Sequence, residues 1–172
     1  MLASLTALKY MSIEAYVEGP AFPPFLSSMG KLINLDLQLK QPGDKTVPPR
    51  QLDLGACTEL RHLMMCECCP CSGWPADASG MTQLWHLEID YCGLTELSPE
   101  LSALPAIKEL LLGHNRLTDM PHLACIGVLQ VVDLVANNFS KIPAVLGGGA
   151  ASSLECLLLH GNNVDYGHLD DG

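Results

Sequence analysis

The run MMCECCPC, residues 64–71, concentrates the side chains that most readily suggest chemistry. It contains two interleaved Cys-x-x-Cys spacings, Cys66 with Cys69 and Cys68 with Cys71. Tetrahedral zinc sites often use two such pairs, but a dozen or more residues separate them, so that each pair approaches the metal from its own turn. Because the two pairs overlap here, we predict no dedicated metal site.

The segment CCPC within this run has the Cys-x-Pro-Cys spacing of the thioredoxin redox motif. That chemistry requires the first cysteine at a helix N-terminus, where the helix dipole lowers its pKa. A cysteine-based metal or redox protein is therefore a minor alternative. Soft ligands such as His62, Met64, Cys66 and Cys69 could take up zinc or copper opportunistically.

Sequence motifs of the common enzyme classes are absent. There is no Ser/His/Asp order, no phosphate-cradling glycine loop and no His-Glu-x-x-His. The GGG run at 147–149 lacks the Lys and Ser/Thr of a P-loop and indicates a flexible insert. We therefore expect no enzyme activity and no cofactor.

Internal repetition predicts the elements that position these side chains. Residues 84–121 hold two copies of one pattern: a Leu or Ile, apolar residues three, five, ten and thirteen places on, and Cys92 or Asn115 eight places on. The same register gives starts at Leu8, Leu32, Leu60, Leu84, Ile107, Leu129 and Leu154, with successive differences of 24, 28, 24, 23, 22 and 25 residues. We predict one repeat domain over residues 1–172, with a surface loop at 40–50 in the longest repeat.

The pattern matches the consensus L-x-x-L-x-L-x-x-N/C-x-L, so the chain resembles the leucine-rich-repeat family. The resemblance implies an α/β fold: a right-handed solenoid arc of about seven repeats, with a parallel concave β-sheet and with loops and short helices on the convex side. It also implies a buried ladder that satisfies the backbone of the turns, formed by Cys68, Cys92, Asn115, Asn137 and Asn162.

Two interpretations of function follow from this resemblance. The later repeats, with LxxLPxxLxxL segments, are similar to intracellular members of the family, which implies a protein-interaction module in a signalling or scaffolding complex. The irregular second and third repeats, with CTELRHL and Cys68, are similar to the recognition region of nucleotide-binding immune receptors. That second interpretation makes the chain the sensor end of a longer protein.

The concave sheet is the expected binding surface, lined by the residues between the inward leucines. Counting each start as position one, these are positions three, five, seven and eight; position eight holds Ala15, Leu39, Glu67, Tyr91, His114, Ala136 and Gly161. Seven residues in these columns are acidic, Glu14, Asp36, Glu67, Glu88, Asp90, Glu109 and Asp133, and none is Lys or Arg. They form either a solvated charged face or an acidic trough that steers a basic segment of a partner protein.

Apolar side chains in the same columns favour a protein partner at repeats three to six. We predict binding by Asp36, His62, Met64, Glu67, His86, Glu88, Asp90, Tyr91, Glu109, Leu111 and Asp133, beside Val131, Val135 and Leu158. His62 and His86 share a column, about 5 Å apart. A metal-binding or pH-sensing pair is an alternative to chance pairing on a polar face.

Composition narrows the partner class further. The formal charge of -10 argues against nucleic acid and anionic membranes, which call for clustered Lys and Arg. No apolar run approaches the roughly 18 residues of a membrane span, and the N-terminus lacks the basic region of a signal peptide. Eight cysteines without paired-cysteine caps favour a reducing, intracellular location. Because no polar cap is visible, we expect a fragment of a longer protein, a small protein with minimal caps, or a subunit whose ends pack on something else. We predict a monomer or part of a longer chain.

Overall fold

A computed structural model describes residues 5–16, 24–40, 54–68, 78, 80–98, 104–147, 149 and 151–165. Seven strands form one sheet in sequence order. They are β1 (Tyr10–Tyr16), β2 (Asn34–Lys40), β3 (His62–Cys66), β4 (His86–Asp90), β5 (Glu109–Leu111), β6 (Val131–Asp133) and β7 (Cys156–Leu158). Each strand pairs in parallel with the next.

The pairing register confirms the repeat register predicted from the sequence. Tyr10 pairs with Asn34, which pairs with His62, and His62 pairs with His86, so third positions of successive repeats are neighbours. Parallel strands need a crossover after every strand. Short 3-10 helices occupy some of these returns, at Pro24–Ser28, Ala124–Gly127 and Ala144–Leu146. The predicted 40–50 loop lies outside the described residues except for Lys40, which ends β2.

The core is one continuous cluster along the inner face of the sheet. In β2 and β3 every second side chain is fully or almost fully buried, as the two-residue period of a strand requires. The inward residues are mostly leucines stacked from repeat to repeat, such as Leu35, Leu63, Leu87 and Leu110. Each repeat therefore buries its apolar side chains against its neighbours. No helix in the part of the chain that the structure describes could span a membrane.

From the third repeat onward, each strand ends before position eight, and at position eight the backbone turns into the left-handed region. The φ angles there are 54° at Glu67, 53° at Tyr91, 51° at His114, 51° at Ala136 and 75° at Gly161. L-residues adopt this conformation only at a cost. The turn directs position nine back into the core.

The first two strands do not end in this way, and one prediction fails as a result. β2 runs straight through to Lys40, so alternation places Leu39 inside, where it is 0% exposed, and Lys40 on the outer face. The prediction that position eight lines the concave surface was wrong for Leu39 and also for Ala15, which pairs with Leu39 and packs against the core. Because position nine of this repeat is Lys40, the inward ladder begins only at Cys68.

Ladder side chains hold the turns of consecutive repeats together. The Asn115 side chain accepts from the Cys92 and Leu94 N–H groups at 3.2 and 3.0 Å and donates to the Ile89 carbonyl at 2.7 Å. The Asn137 side chain likewise accepts from Leu117 N–H at 2.9 Å and donates to a carbonyl of the preceding repeat. Asn162 repeats this arrangement in a half-buried setting.

Cysteine occupies the same position with weaker bonding. The Cys68 thiol donates to the Leu37 carbonyl at 3.2 Å, and the Cys92 thiol donates to the Met65 carbonyl at 3.5 Å. A thiol is a weak donor, whereas the amide both donates and accepts. Cys68 and Cys92 are therefore bonded to the repeat before them less firmly than Asn115 and Asn137 are.

Candidate functional site: an acidic groove on the concave face

Most predicted binding residues lie half-buried on the outer face of β2 to β6. They are Asp36, His62, Met64, Glu88, Asp90, Glu109, Leu111 and Asp133. Glu67 and Tyr91 are exposed, and the Tyr91 ring stacks on His114 with centroids 4.2 Å apart. His86, predicted to line the surface, is only 8% exposed. The structure thus brings these residues onto one surface while covering His86 with its neighbours.

Lys40 compensates the acidic residues at one end of this surface. Its Nζ lies 3.0 Å from Glu14 Oε1 and 3.7 Å from Glu67 Oε2. The hydrogen bond that Lys40 donates to Glu14 raises the pKa of Lys40. Two of the seven predicted acidic residues are therefore engaged with a cation. The concave columns of the sequence did not include Lys40, because a regular repeat would have turned before it.

Two stacked histidines lie beside Glu88 and Glu109. The His62 and His86 rings stack with centroids 3.9 Å apart and an interplanar angle of 3°. His86 Nδ1 lies 2.6 Å from Glu109 Oε2, and its Nε2 lies 3.7 Å from Glu88 Oε2. Burial, reinforced by the neighbouring His86, lowers the pKa of His62. Within the described residues no group of three or more His, Cys, Asp or Glu side chains could hold a metal ion.

A groove of about 220 Å³ opens beside these histidines, across β4 to β7. Its lining combines three carboxylates with apolar side chains and two further histidines. The lining residues are Glu88, Asp90, Leu111, Gly113, His114, Asp133, Val135, Leu158 and His160. This groove lies at repeats four to seven, one repeat further along the chain than the predicted repeats three to six.

Within the described residues, the basic neighbours of the groove carboxylates are histidines. Among the residues that the structure describes, no Lys or Arg forms an ion pair with Glu88, Asp90 or Asp133. Burial raises the pKa of Glu88, and burial likewise raises the pKa of Asp90, which Asp133 also repels. The uncompensated negative charge of the concave face is thus concentrated here.

Gly113 forms the floor between two of these carboxylates. A Cβ atom at this position would lie 3.0 Å from Asp90 Oδ1 and 3.8 Å from Asp133 Oδ1. Asp90 Oδ1 is buried and has no hydrogen-bond partner within the described part of the chain. Asp133 Oδ1 accepts from Val135 N–H at 2.8 Å, which fixes that side chain. We call the gap bounded by Asp90, Gly113 and Asp133 the Gly113 notch.

Comparison with known proteins gives relatives of one kind, although no protein-family model matches the chain. The transforming growth factor beta activator LRRC32 of Pongo abelii is 40% identical over 70 residues, which are 41% of this chain and 11% of that protein. The human leucine-rich repeat-containing protein 56 is 34% identical over 86 residues, which are 48% of this chain and 16% of that protein. The matched part thus spans a small share of either relative.

Solved structures share the fold over nearly the whole chain. An internalin of Listeria monocytogenes gives a TM-score of 0.63 at 18% identity, covering 95% of this chain and 45% of that one. A leucine-rich-repeat protein of Leptospira interrogans gives 0.55 at 18% identity, covering 94% and 51%. Repeat register, sheet and relatives agree. This chain is a leucine-rich-repeat protein.

The repeat register placed Gly113, His114 and His160 in the concave columns of this leucine-rich-repeat protein, but the predicted binding residues did not include these three groove residues. Gly113 carried a detectable signal, because position seven holds Asp90 and Val135 in the repeats on either side. A glycine between larger neighbours in one column predicts a gap in the surface. The two histidines had no comparable signal, since a histidine at an outward position is ordinary.

The cysteine run contributes only part of its residues to the described leucine-rich-repeat structure. Cys69 and Cys71 lie outside the described residues, so the interleaved pairs stay a sequence observation. Cys68 occupies the ladder, and Cys66 is a half-buried free thiol. Burial raises the pKa of the Cys66 thiol, and nearby Asp90 raises it further. A thiolate nucleophile is therefore disfavoured at Cys66.

Proposed function

We propose that this protein is an interaction module whose concave face binds a basic segment of another protein. The observation that carries the proposal is the cluster of Glu88, Asp90 and Asp133, which face one groove without a Lys or Arg partner. Desolvated like charges raise the free energy of the unbound protein. A cationic partner lowers that cost, so the groove favours basic ligands.

The groove also has the composition of a protein-binding surface. Leu111, Val135 and Leu158 line it beside the carboxylates, and Leu158 is 37% exposed. Apolar contacts supply affinity, while charges steer the encounter and select the partner. The net charge of -10 extends attraction for basic partners beyond the contact surface. Leucine-rich-repeat relatives and structural neighbours support a recognition role rather than catalysis.

The proposal includes a setting inside the cell, in a signalling or scaffolding complex, with this chain acting as a monomer or as part of a longer protein. Its support is the thiol chemistry and the kind of repeat. Cys66, Cys125 and Cys156 are free thiols, which persist best in a reducing compartment. The LxxLPxxLxxL form of the later repeats is similar to that of intracellular family members.

Binding of a basic peptide tests this proposal directly. The probe is a fluorescent peptide of alternating arginine and serine, compared with the same peptide carrying uncharged citrulline. Fluorescence anisotropy should show that Glu88→Lys with Asp90→Lys weakens binding by more than about tenfold at low salt. The citrulline peptide should bind none of the variants.

A matched double variant separates the groove from the overall charge. Glu96→Lys with Asp119→Lys makes the same change in net charge at a separate hollow, which these residues line together with Leu97 and Pro121. This variant should bind the arginine peptide nearly as the wild type does. Equal loss in both double variants, after circular dichroism shows that both fold, would refute binding at the concave groove.

A further inference from the structure

The distribution of compensated and uncompensated acidic residues points to one subsite within the groove. Lys40 engages Glu14 and Glu67, and His86 engages Glu109, so these acidic residues already have partners. Asp90 and Asp133 converge on Gly113 from the two flanking repeats. Building on the proposed function, we propose that the Gly113 notch receives a single arginine side chain of the bound protein.

The notch has the geometry that a guanidinium group requires. Both carboxylate oxygens lie within 4 Å of one point above Gly113, the position of its missing Cβ atom. Asp90 and Asp133 belong to different repeats, so N–H donors on two sides of one cation can bond to the two carboxylates. A guanidinium presents several N–H donors in a planar fork, whereas an ammonium acts as a point charge. Arginine therefore suits two separated acceptors better than lysine.

The hydrogen bonding of the two carboxylates favours a donor from the ligand. Asp90 Oδ1 is buried without a hydrogen-bond partner in the described part of the chain. A buried acceptor left unsatisfied destabilises the unbound protein, and a donor from a ligand removes that penalty. Asp133 is held in place by the 2.8 Å bond from Val135 N–H to its Oδ1. The Asp133 half of the site is thus organised before binding.

Apolar residues of the groove provide a surface on which the aliphatic part of an arginine side chain packs. Leu111, Val135 and Leu158 line the groove that leads to the notch. The methylene stem of arginine packs favourably on such a surface while its charged end reaches the carboxylates. His114 also lines the groove near Asp90, so all measurements are made at one fixed pH.

Amide NMR on the full chain with acetyl-arginine amide as the probe tests this subsite. Acetyl-citrulline amide, an uncharged isostere, is the control probe, and added NaCl keeps the ionic strength equal. The arginine probe should shift the amide signals of Gly113, His114 and Val135 in a saturable way, whereas the citrulline probe should not. Signals of the Lys31–Glu59 ion pair, which the groove does not include, should stay in place.

Two variants with matched controls locate the binding site. Gly113→Ala places a Cβ atom against Asp90 Oδ1 and fills the notch, whereas Gly127→Ala meets nothing within 4 Å. Asp133→Asn removes one charge but keeps an oxygen for Val135 N–H; Asp119→Asn is its counterpart, because Asp119 Oδ1 also accepts a backbone N–H, from Met120 at 2.8 Å. The first variant of each pair should weaken binding about tenfold and the second should leave it unchanged.

The outcomes distinguish failure of the notch from failure of the proposed function. Equal shifts with citrulline, or undiminished binding by Asp133→Asn, overturn the notch. Shifts confined to His62, Glu88 and Glu109 also overturn it, while leaving the acidic concave face as a binding surface. If Gly113→Ala does not fold, Asp133→Asn still decides. Absence of any concave shift, together with equal peptide binding by both double lysine variants, contradicts both proposals.

Discussion

At the scale of single residues, the partly buried carboxylates of the groove lower the stability of the unbound protein and favour the binding of a cationic partner. Burial raises the pKa of Glu88, so the folded protein holds this proton more tightly than the unfolded chain does. As the pH rises above about 4.3, the unfolded state loses the proton first, and stability falls until the folded-state pKa is passed. At neutral pH the protein therefore carries the full cost of a charged, partly desolvated Glu88.

Replacing this charge should stabilise the unbound protein. We expect Glu88→Gln to raise the melting temperature at pH 7 by about 1 to 2 °C, the size expected for well under 1 kcal/mol in a chain of this length. Near pH 3 the difference should vanish, because Glu88 is protonated in both states. Thermal denaturation, monitored by circular dichroism, measures the melting temperature at both pH values. Glu96→Gln, at an exposed residue, is the control. An unchanged or lower melting temperature at pH 7 would contradict the cost assigned to Glu88.

At the scale of elements, the left-handed turn after each later strand directs the ladder residue into the core. The sequence predicted the pairing register of the strands well. Apolar residues recur with one spacing in every repeat, and the side chains of parallel strands must align. The sequence did not predict the seven-residue length of β2. The signal was present at position nine, where Tyr16 and Lys40 replace the small polar residue that bonds to the turn.

The ladder within these turns gives a direct stability prediction. Asn137→Leu removes the acceptor for Leu117 N–H and the donor to the Leu112 carbonyl, both buried. We expect a loss of about 1 to 3 kcal/mol in the free energy of unfolding, measured by urea titration. Asn138→Leu makes the same chemical change at the adjacent exposed residue and should cost far less. Equal losses would mean that the ladder does not bear on stability.

The left-handed turns give a second prediction at this scale. Gly161 has a φ of 75°, and a Cβ atom there would lie 3.1 Å from the Ala136 backbone nitrogen. Gly161→Ala should therefore lower the free energy of unfolding by about 1 to 2 kcal/mol. Gly127→Ala, which meets open space, is the matched control. Urea titrations in which the two variants unfold at the same midpoint would contradict this account of the turn.

At the scale of the whole molecule, the acidic surface is less uniform than its sequence columns suggested. The columns identified most carboxylates of the concave face, since outward positions follow from the register alone. They did not identify which carboxylates are compensated. Compensation depends on Lys40 emerging from an extended β2 and on the side-chain contact between His86 and Glu109. Neither follows from the spacing of residues along the chain.

Salt should weaken partner binding in a way that reflects this charge distribution. Exposed charges are screened at physiological ionic strength, where the Debye length is about 8 Å, whereas partly buried ones are screened less. We expect the affinity for the arginine peptide to fall with added NaCl in the wild type. The residual affinity of Glu88→Lys with Asp90→Lys should change little. Titrations at three salt concentrations measure this, and parallel slopes for the two proteins would contradict a site at the groove.

The most direct measurement is affinity capture from a cell extract with three baits: the wild type, Glu88→Lys with Asp90→Lys, and Glu96→Lys with Asp119→Lys. The account predicts one or more basic proteins retained by the first and third baits and absent from the second. Purified binding of a retained protein should then show the same order. Equal retention by all three folded baits would contradict the central claim that the acidic groove is the binding surface.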